Sequence, residues 1–148
     1  MLVRISPIAL AISSAIVLSA CGGGGSSSSG TATPASVDVT VTPSLGKFST
    51  GCSVEVRKSS GELLGSAPIT STGTAIVKIT ADYAGPIIAQ VKGAATGCTY
   101  FDEATGTDKP FGVDKQLSAI TDSVRTNLGV NALTNLSAAR LLDGNKLA

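Results

Sequence analysis

The chain has 148 residues, room for one domain and no second once its first stretch is set aside as a removable signal. Arg4 is the only charged residue before Cys21. The rest carries ten Lys and Arg against ten Asp and Glu with no long run of either sign, which excludes a basic patch for nucleic acid. His and Trp are absent, so the commonest general base and metal ligand and the largest aromatic platform are missing, and most enzyme chemistries weaken.

Residues 5–18 follow Arg4 as an apolar run broken only by Ser6, Pro7, Ser13 and Ser14, the n- and h-region pattern of a signal peptide. The run is short of the ~20 apolar residues of a membrane span. It ends in Leu18-Ser19-Ala20-Cys21, which resembles the bacterial lipobox, where cleavage precedes the Cys and its thiol and new amine are acylated. The resemblance implies a signal peptide over residues 1–20 and lipidation, palmitate included, at Cys21. Multiple acyl chains satisfy the two-signal requirement for stable anchoring, each buried CH₂ adding ~0.8 kcal/mol. The partner so implied is a membrane, reached through the lipid and not spanned. By similarity to enterobacterial sorting, Gly22 in place of Asp implies the outer membrane, its periplasmic face in preference to its surface. Residues 22–35, GGGGSSSSGTATPA, hold no large apolar side chain and read as a tether with a reach of ~20 Å.

From Ser36 the period becomes two. Val37, Val39 and Val41 alternate with Asp38, Thr40 and Thr42, and Pro43 is expected to stop the strand. Cys52, Val54 and Val56 alternate with Ser53, Glu55 and Arg57, and the turn Ser59-Ser60-Gly61 then leads into Leu63-Leu64. β-Branched Ile76, Val77 and Ile79 predict a third strand within 74–80, Gly85-Pro86 introduces a fourth over 87–92, and 99–102 form a fifth. In 115–128 the residues Leu117, Ile120, Val124 and Leu128 also fit a helical face, and a short strand is assigned to 117–120. Asn131 caps a helix over about 131–142, stopped by Asp143-Gly144, with Leu133 and Leu136 expected to pack on the strands. Short strands between Gly, Pro and Ser turns, without intervening helices, predict a mainly β fold. It is a small β-sandwich of the immunoglobulin or transthyretin kind over 36–148 with a C-terminal helix.

The order Gly51-Cys52-Ser53-Val54-Glu55-Val56, Gly61, Gly73, Ile76-Val77-Lys78-Ile79, Tyr83 and Gly85 resembles the carboxypeptidase regulatory-like (transthyretin-like) β-sandwich. Tyr100-Phe101-Asp102-Glu103-Ala104-Thr105-Gly106 and Val130-Asn131-Ala132-Leu133-Thr134 are similar to segments of proteobacterial lipoproteins that carry such a sandwich. The resemblance spans about residues 36–142 and implies an accessory or scaffold module without chemistry of its own.

Cys52 and Cys98 remain after Cys21 is assigned to the anchor. With no CxxC, no His and no third thiolate, a structural bridge is favoured over a redox or metal pair. Closing a loop of about 47 residues would restrict the unfolded chain by ~4 kcal/mol. Tyr100, Asp102, Glu103 and Asp108 are the candidate ligand-binding residues, oxygen-rich enough for calcium but without a calcium-loop pattern; the alternative is a solvated hairpin turn. Tyr100-Phe101 could stack on a glycan or peptide, but without neighbouring rings alternation more simply places one in the core and the other at the surface. Ser44-Leu45-Gly46-Lys47 matches S-x-x-K without its S-D-N and K-T-G companions, so a serine hydrolase is a remote reading. Asn135-Leu136-Ser137 is a glycosylation sequon inside the expected helix and is given no role. The expectation is a non-enzymatic, lipid-anchored envelope lipoprotein that needs no cofactor or metal. It would bind an envelope protein or glycan through exposed loops or an edge strand. The alternative is a calcium-assisted glycan or small-ligand binder that uses residues 100–108.

Overall fold

The computed structural model describes residues 35–143. The signal peptide, Cys21, the Gly/Ser tether and the Gly144 stop lie outside the described residues. The elements in chain order are β1 (Ser36–Ser44), β2 (Ser53–Lys58), β3 (Leu63–Pro68), β4 (Ala75–Thr80) and β5 (Ile87–Lys92). They continue with β6 (Thr99–Asp102), β7 (Thr107–Pro110), β8 (Gln116–Thr121), β9 (Asn127–Asn131) and α1 (Ala132–Asp143). One sheet has the order β4-β1-β9, a second β3-β2-β5-β8, and β6 and β7 form a separate ribbon. Among the described residues only the β1–β9 pair is parallel.

Alternation builds the core. Val39 and Val41 of β1, Val77 of β4 and Val130 of β9 face Val54 and Val56 of β2 and Ala89 and Val91 of β5, all fully buried. Each buried Val contributes about 1.5–3 kcal/mol of transfer free energy, and the two inner faces make one sandwich core. Mainly β with a C-terminal helix is therefore the observed class.

Some boundaries differ from the sequence pattern for identifiable reasons. β1 continues through Pro43 to Ser44. The Thr40 N–H bonds toward β9, to the Thr126 carbonyl at 2.8 Å, so by alternation the Pro43 nitrogen faces the β4 side. There β4 has already ended, at the Val41–Ala75 pair, and no donor is missed. β3 carries only two large apolar residues and pairs through a bulge at Val56/Arg57. A Cβ at Gly65 would collide with the Lys78 carbonyl oxygen, so glycine lets β3 close against β4 at the sandwich corner. β7 (Thr-Asp-Lys-Pro) and β9 (Asn-Leu-Gly-Val-Asn), both short and poor in β-branched and aromatic residues, are strands that the sequence pattern does not predict. β8 resolves the helical ambiguity of its segment: Leu117 and Ala119 join the inner core, and Ile120 falls on the other face.

Helix α1 starts as expected. The Asn131 Oδ1 accepts the Thr134 N–H at 2.9 Å, and the Thr134 Oγ1 accepts the Asn131 N–H at 2.8 Å, a reciprocal cap. Its packing face is not the expected one. Leu133 and Leu136 are 77% and 54% exposed, while Ala138 is buried. The reason is the Asn135 side chain, whose Oδ1 accepts the Ser118 N–H of β8 at 2.9 Å. With Asn135 turned inward, the helical period brings Thr134, Ala138 and Leu141 to β8 and swings the two leucines out. Among the described residues no helix is long and apolar enough to cross a membrane.

Candidate functional site

The candidate site forms where the β1–β2 connection meets the β6–β7 ribbon. Gly46, at φ +93°, turns the chain in the left-handed region, and a side chain there would strike the Phe101 carbonyl. Residues 47–49 then pair with β6: the Phe101 N–H bonds to the Lys47 carbonyl and the Ser49 N–H to the Thr99 carbonyl, both at 2.9 Å. The result is a miniature three-stranded sheet. Its period of two divides the residues between faces.

The inner face carries Phe48 and Tyr100, which bridge each other across the strands. With Phe111 they form an aromatic cluster, with centroids 5.2 Å apart for Phe48–Phe111 and 6.0 Å for Phe48–Tyr100. The outer face carries Lys47, Ser49, Thr99, Phe101 and Asp108, and Phe101 pairs directly with Asp108. These residues, with Phe48, line an open depression of about 370 Å³. Among the described residues neither Lys47 nor Asp108 has an ion-pair partner.

A disulfide between Cys52 and Cys98 staples the site, joining the start of β2 to the residue before β6. Beside it the Ser49 hydroxyl donates to the Gly97 carbonyl at 2.8 Å and accepts the Thr99 N–H at 2.9 Å. The ribbon is thus fixed to the sandwich by a covalent bond, the Ser49 hydroxyl and backbone bonds that include Ala94 N–H to the Phe111 carbonyl at 3.1 Å.

The four candidate binding residues do not form one set. Tyr100 points inward, its ring packed against the core. Asp102 is occupied by the turn it makes. Its Oδ2 accepts the Thr105 hydroxyl at 2.9 Å and its Oδ1 the Ala104 N–H at 3.0 Å. The Thr105 hydroxyl, opposed by desolvation and aided by backbone N–H groups and Lys109, holds the Asp102 carboxyl below the usual carboxylate value. Asp108 lines the apolar depression, and Glu103 lines a separate polar one of about 300 Å³ with Thr42, Ser44, Lys47, Thr72 and Gly73. Among the described residues no three His, Cys, Asp or Glu side chains gather as a cation site. Ser44 and Lys47 share the polar depression, but Ser44 ends a strand and Lys47 follows a glycine turn, not a helix start. Asn135 of the sequon is taken up by its bond to Ser118.

Sequence reasoning passed over Lys47 and Thr99, which the structure places beside Phe101 and Asp108. The available signal was alternation across residues 47–49, too short a stretch to read as a strand by itself. A scan against protein-family models, a search of curated proteins and a search of solved structures return no match for this chain.

Proposed function

We propose that this chain is a lipid-anchored lipoprotein of the bacterial cell envelope whose sandwich is a non-enzymatic binding module of the carboxypeptidase regulatory-like kind. The observation that carries the reading is the Cys52–Cys98 bridge downstream of the lipobox. Structural disulfides persist in exported compartments, where lipobox sorting would deliver the domain. Acyl chains on Cys21 hold it to the outer membrane, and residues 22–35 give it reach.

The fold offers the ribbon as a contact surface, and three of the four edge strands of the two sheets are partly covered. The free edge of β8 is occupied by Asn135, and β3 and β4 close on each other at Gly65. β1 leads from the tether to the ribbon, and its nine residues span ~30 Å at ~3.3 Å each. The ribbon therefore lies toward the Ser44 end of β1, remote from Ser36.

Metabolic labelling with clickable palmitate tests the anchor. Label on the wild-type polypeptide that disappears in Cys21→Ala, together with a shift of that variant from the outer-membrane fraction to the soluble one, is the expected outcome. An unlabelled wild-type chain, or an unchanged distribution in the variant, overturns the reading.

A further inference from the structure

We propose, as a deepening of the binding-module reading, that the outer face of the β6–β7 ribbon binds a neutral saccharide without calcium. Phe101 is the platform, Asp108 the acceptor for ligand hydroxyls and Lys47 the donor to ligand oxygens.

Three observations lead there. Phe101 is a large aromatic side chain 40% exposed in a concave surface of about 370 Å³, within the ~300–1,000 Å³ of small-molecule sites. An aromatic face packs against the apolar C–H face of a sugar ring. Phe101 stands between a cation and an anion. Lys47 neighbours it on one strand and Asp108 pairs with it on the other, at the ~4.5–5.5 Å Cβ spacing of cross-strand partners. Neither has a salt bridge among the described residues, and together they carry no net charge. Such a face complements neither an anionic polymer nor a lipid headgroup. It suits a neutral ligand dense in hydroxyls, whose donors a carboxylate accepts and whose oxygens an ammonium's three hydrogens reach.

Calcium is not part of the proposal, because both Asp102 oxygens are bound within their own turn and Glu103 lies in the other depression. A peptide added to the free edge of β7 would meet Pro110, which has no N–H to give.

The test is an NMR titration of the isotope-labelled full chain, in a detergent without sugar head groups. The neutral probes are chitotetraose, cellotetraose and maltotetraose; the controls are polygalacturonic acid and vesicles of phosphatidylglycerol. At least one neutral oligosaccharide should move the amide signals of Lys47, Thr99, Phe101 and Asp108, with little dependence on salt or added calcium. Phe101→Ala and Asp108→Ala should each weaken binding by about tenfold or more, with the spectrum of the sandwich unchanged, while Phe101→Tyr should stay within about threefold. No shift with any neutral probe, shifts outside the ribbon, binding untouched by Phe101→Ala, or preferential shifts with the acidic polymer, the vesicles or rising protein concentration would each overturn the proposal. The palmitate experiment is independent of these outcomes, so an unanchored chain that binds sugar and an anchored chain that does not are separate results.

Discussion

The Asn135 Oδ1 accepts the backbone N–H of Ser118 at 2.9 Å, so a helix side chain stands where a neighbouring strand would bond on the edge of β8. An unpaired sheet edge is a template for another chain, and the helix removes it. Asn135→Ala should lower stability by about 1 kcal/mol, the low end of the ~1–3 kcal/mol for a lost partner, because water reaches this partly buried site. Urea denaturation should show a lower midpoint at unchanged m, and Asn135→Asp, which keeps the acceptor, should recover most of it. Equal losses in both variants would remove the edge-capping role.

The same inward turn of Asn135 decides which helix positions tolerate change. Ala138 is 1% exposed against β8, and enlarging it to Leu should cost about 1–3 kcal/mol through overpacking. Leu133, 77% exposed, should accept Lys within about 0.5 kcal/mol. Thermal melts of the two variants check this, and a Leu133→Lys loss as large as that of Ala138→Leu would place the packing face where the leucine spacing first put it.

The contrast between these two positions shows what sequence periodicity carries. Where apolar alternation was sustained, as at Val37–Val39–Val41 or Val54–Val56, strands formed on the pattern with the face it predicts buried, because one buried face fixes the register, although β1 runs on past Pro43. β3, β7 and β9 had no such run. They are strands because a stronger neighbour offers them hydrogen bonds, a tertiary effect that local composition does not encode. The helix was legible from its cap but not its orientation, since a single polar residue, Asn135, outweighs two leucines by satisfying a sheet edge. At the site, Cys52 and Cys98 were legible as a pair. The outer face of the ribbon was not, because Lys47 and Phe101 are 54 positions apart and meet only through the Gly46 turn.

The Asp102 turn gives a pH prediction. The Thr105 hydroxyl holds its folded-state pKa below the ordinary 3.8. A depressed folded pKa contributes stability that is fully present above the unfolded value and lost as pH falls through the folded one. Unfolding midpoints followed downward from pH 5 should therefore begin to fall near the ordinary carboxylate value. Thr105→Val should raise the Asp102 pKa toward 3.8 in a carboxyl NMR titration. An unmoved titration in that variant would assign the depression to other groups.

Reduction of the Cys52–Cys98 bridge tests how the ribbon is held. The sulfurs stay in place as buried thiols, so the main loss is the restraint on the unfolded chain, about 4 kcal/mol for a crosslink of this span in the chain-entropy model. Where that loss appears locally is decided by what remains. Phe48, Tyr100 and Phe111 still interlock on the inner face, and the Phe101–Lys47 and Ser49–Thr99 backbone bonds still join the connection to β6. Those bonds lie near the surface and should open before the core does. Hydrogen exchange on the reduced chain should therefore accelerate most at core amides such as Val54 and Val91, which exchange through global unfolding, and less at the locally opening Ser49 and Phe101 amides, while the global melting temperature falls. Acceleration confined to the Ser49 and Phe101 amides would mean that the bridge acts on the folded ribbon and not on the unfolded chain.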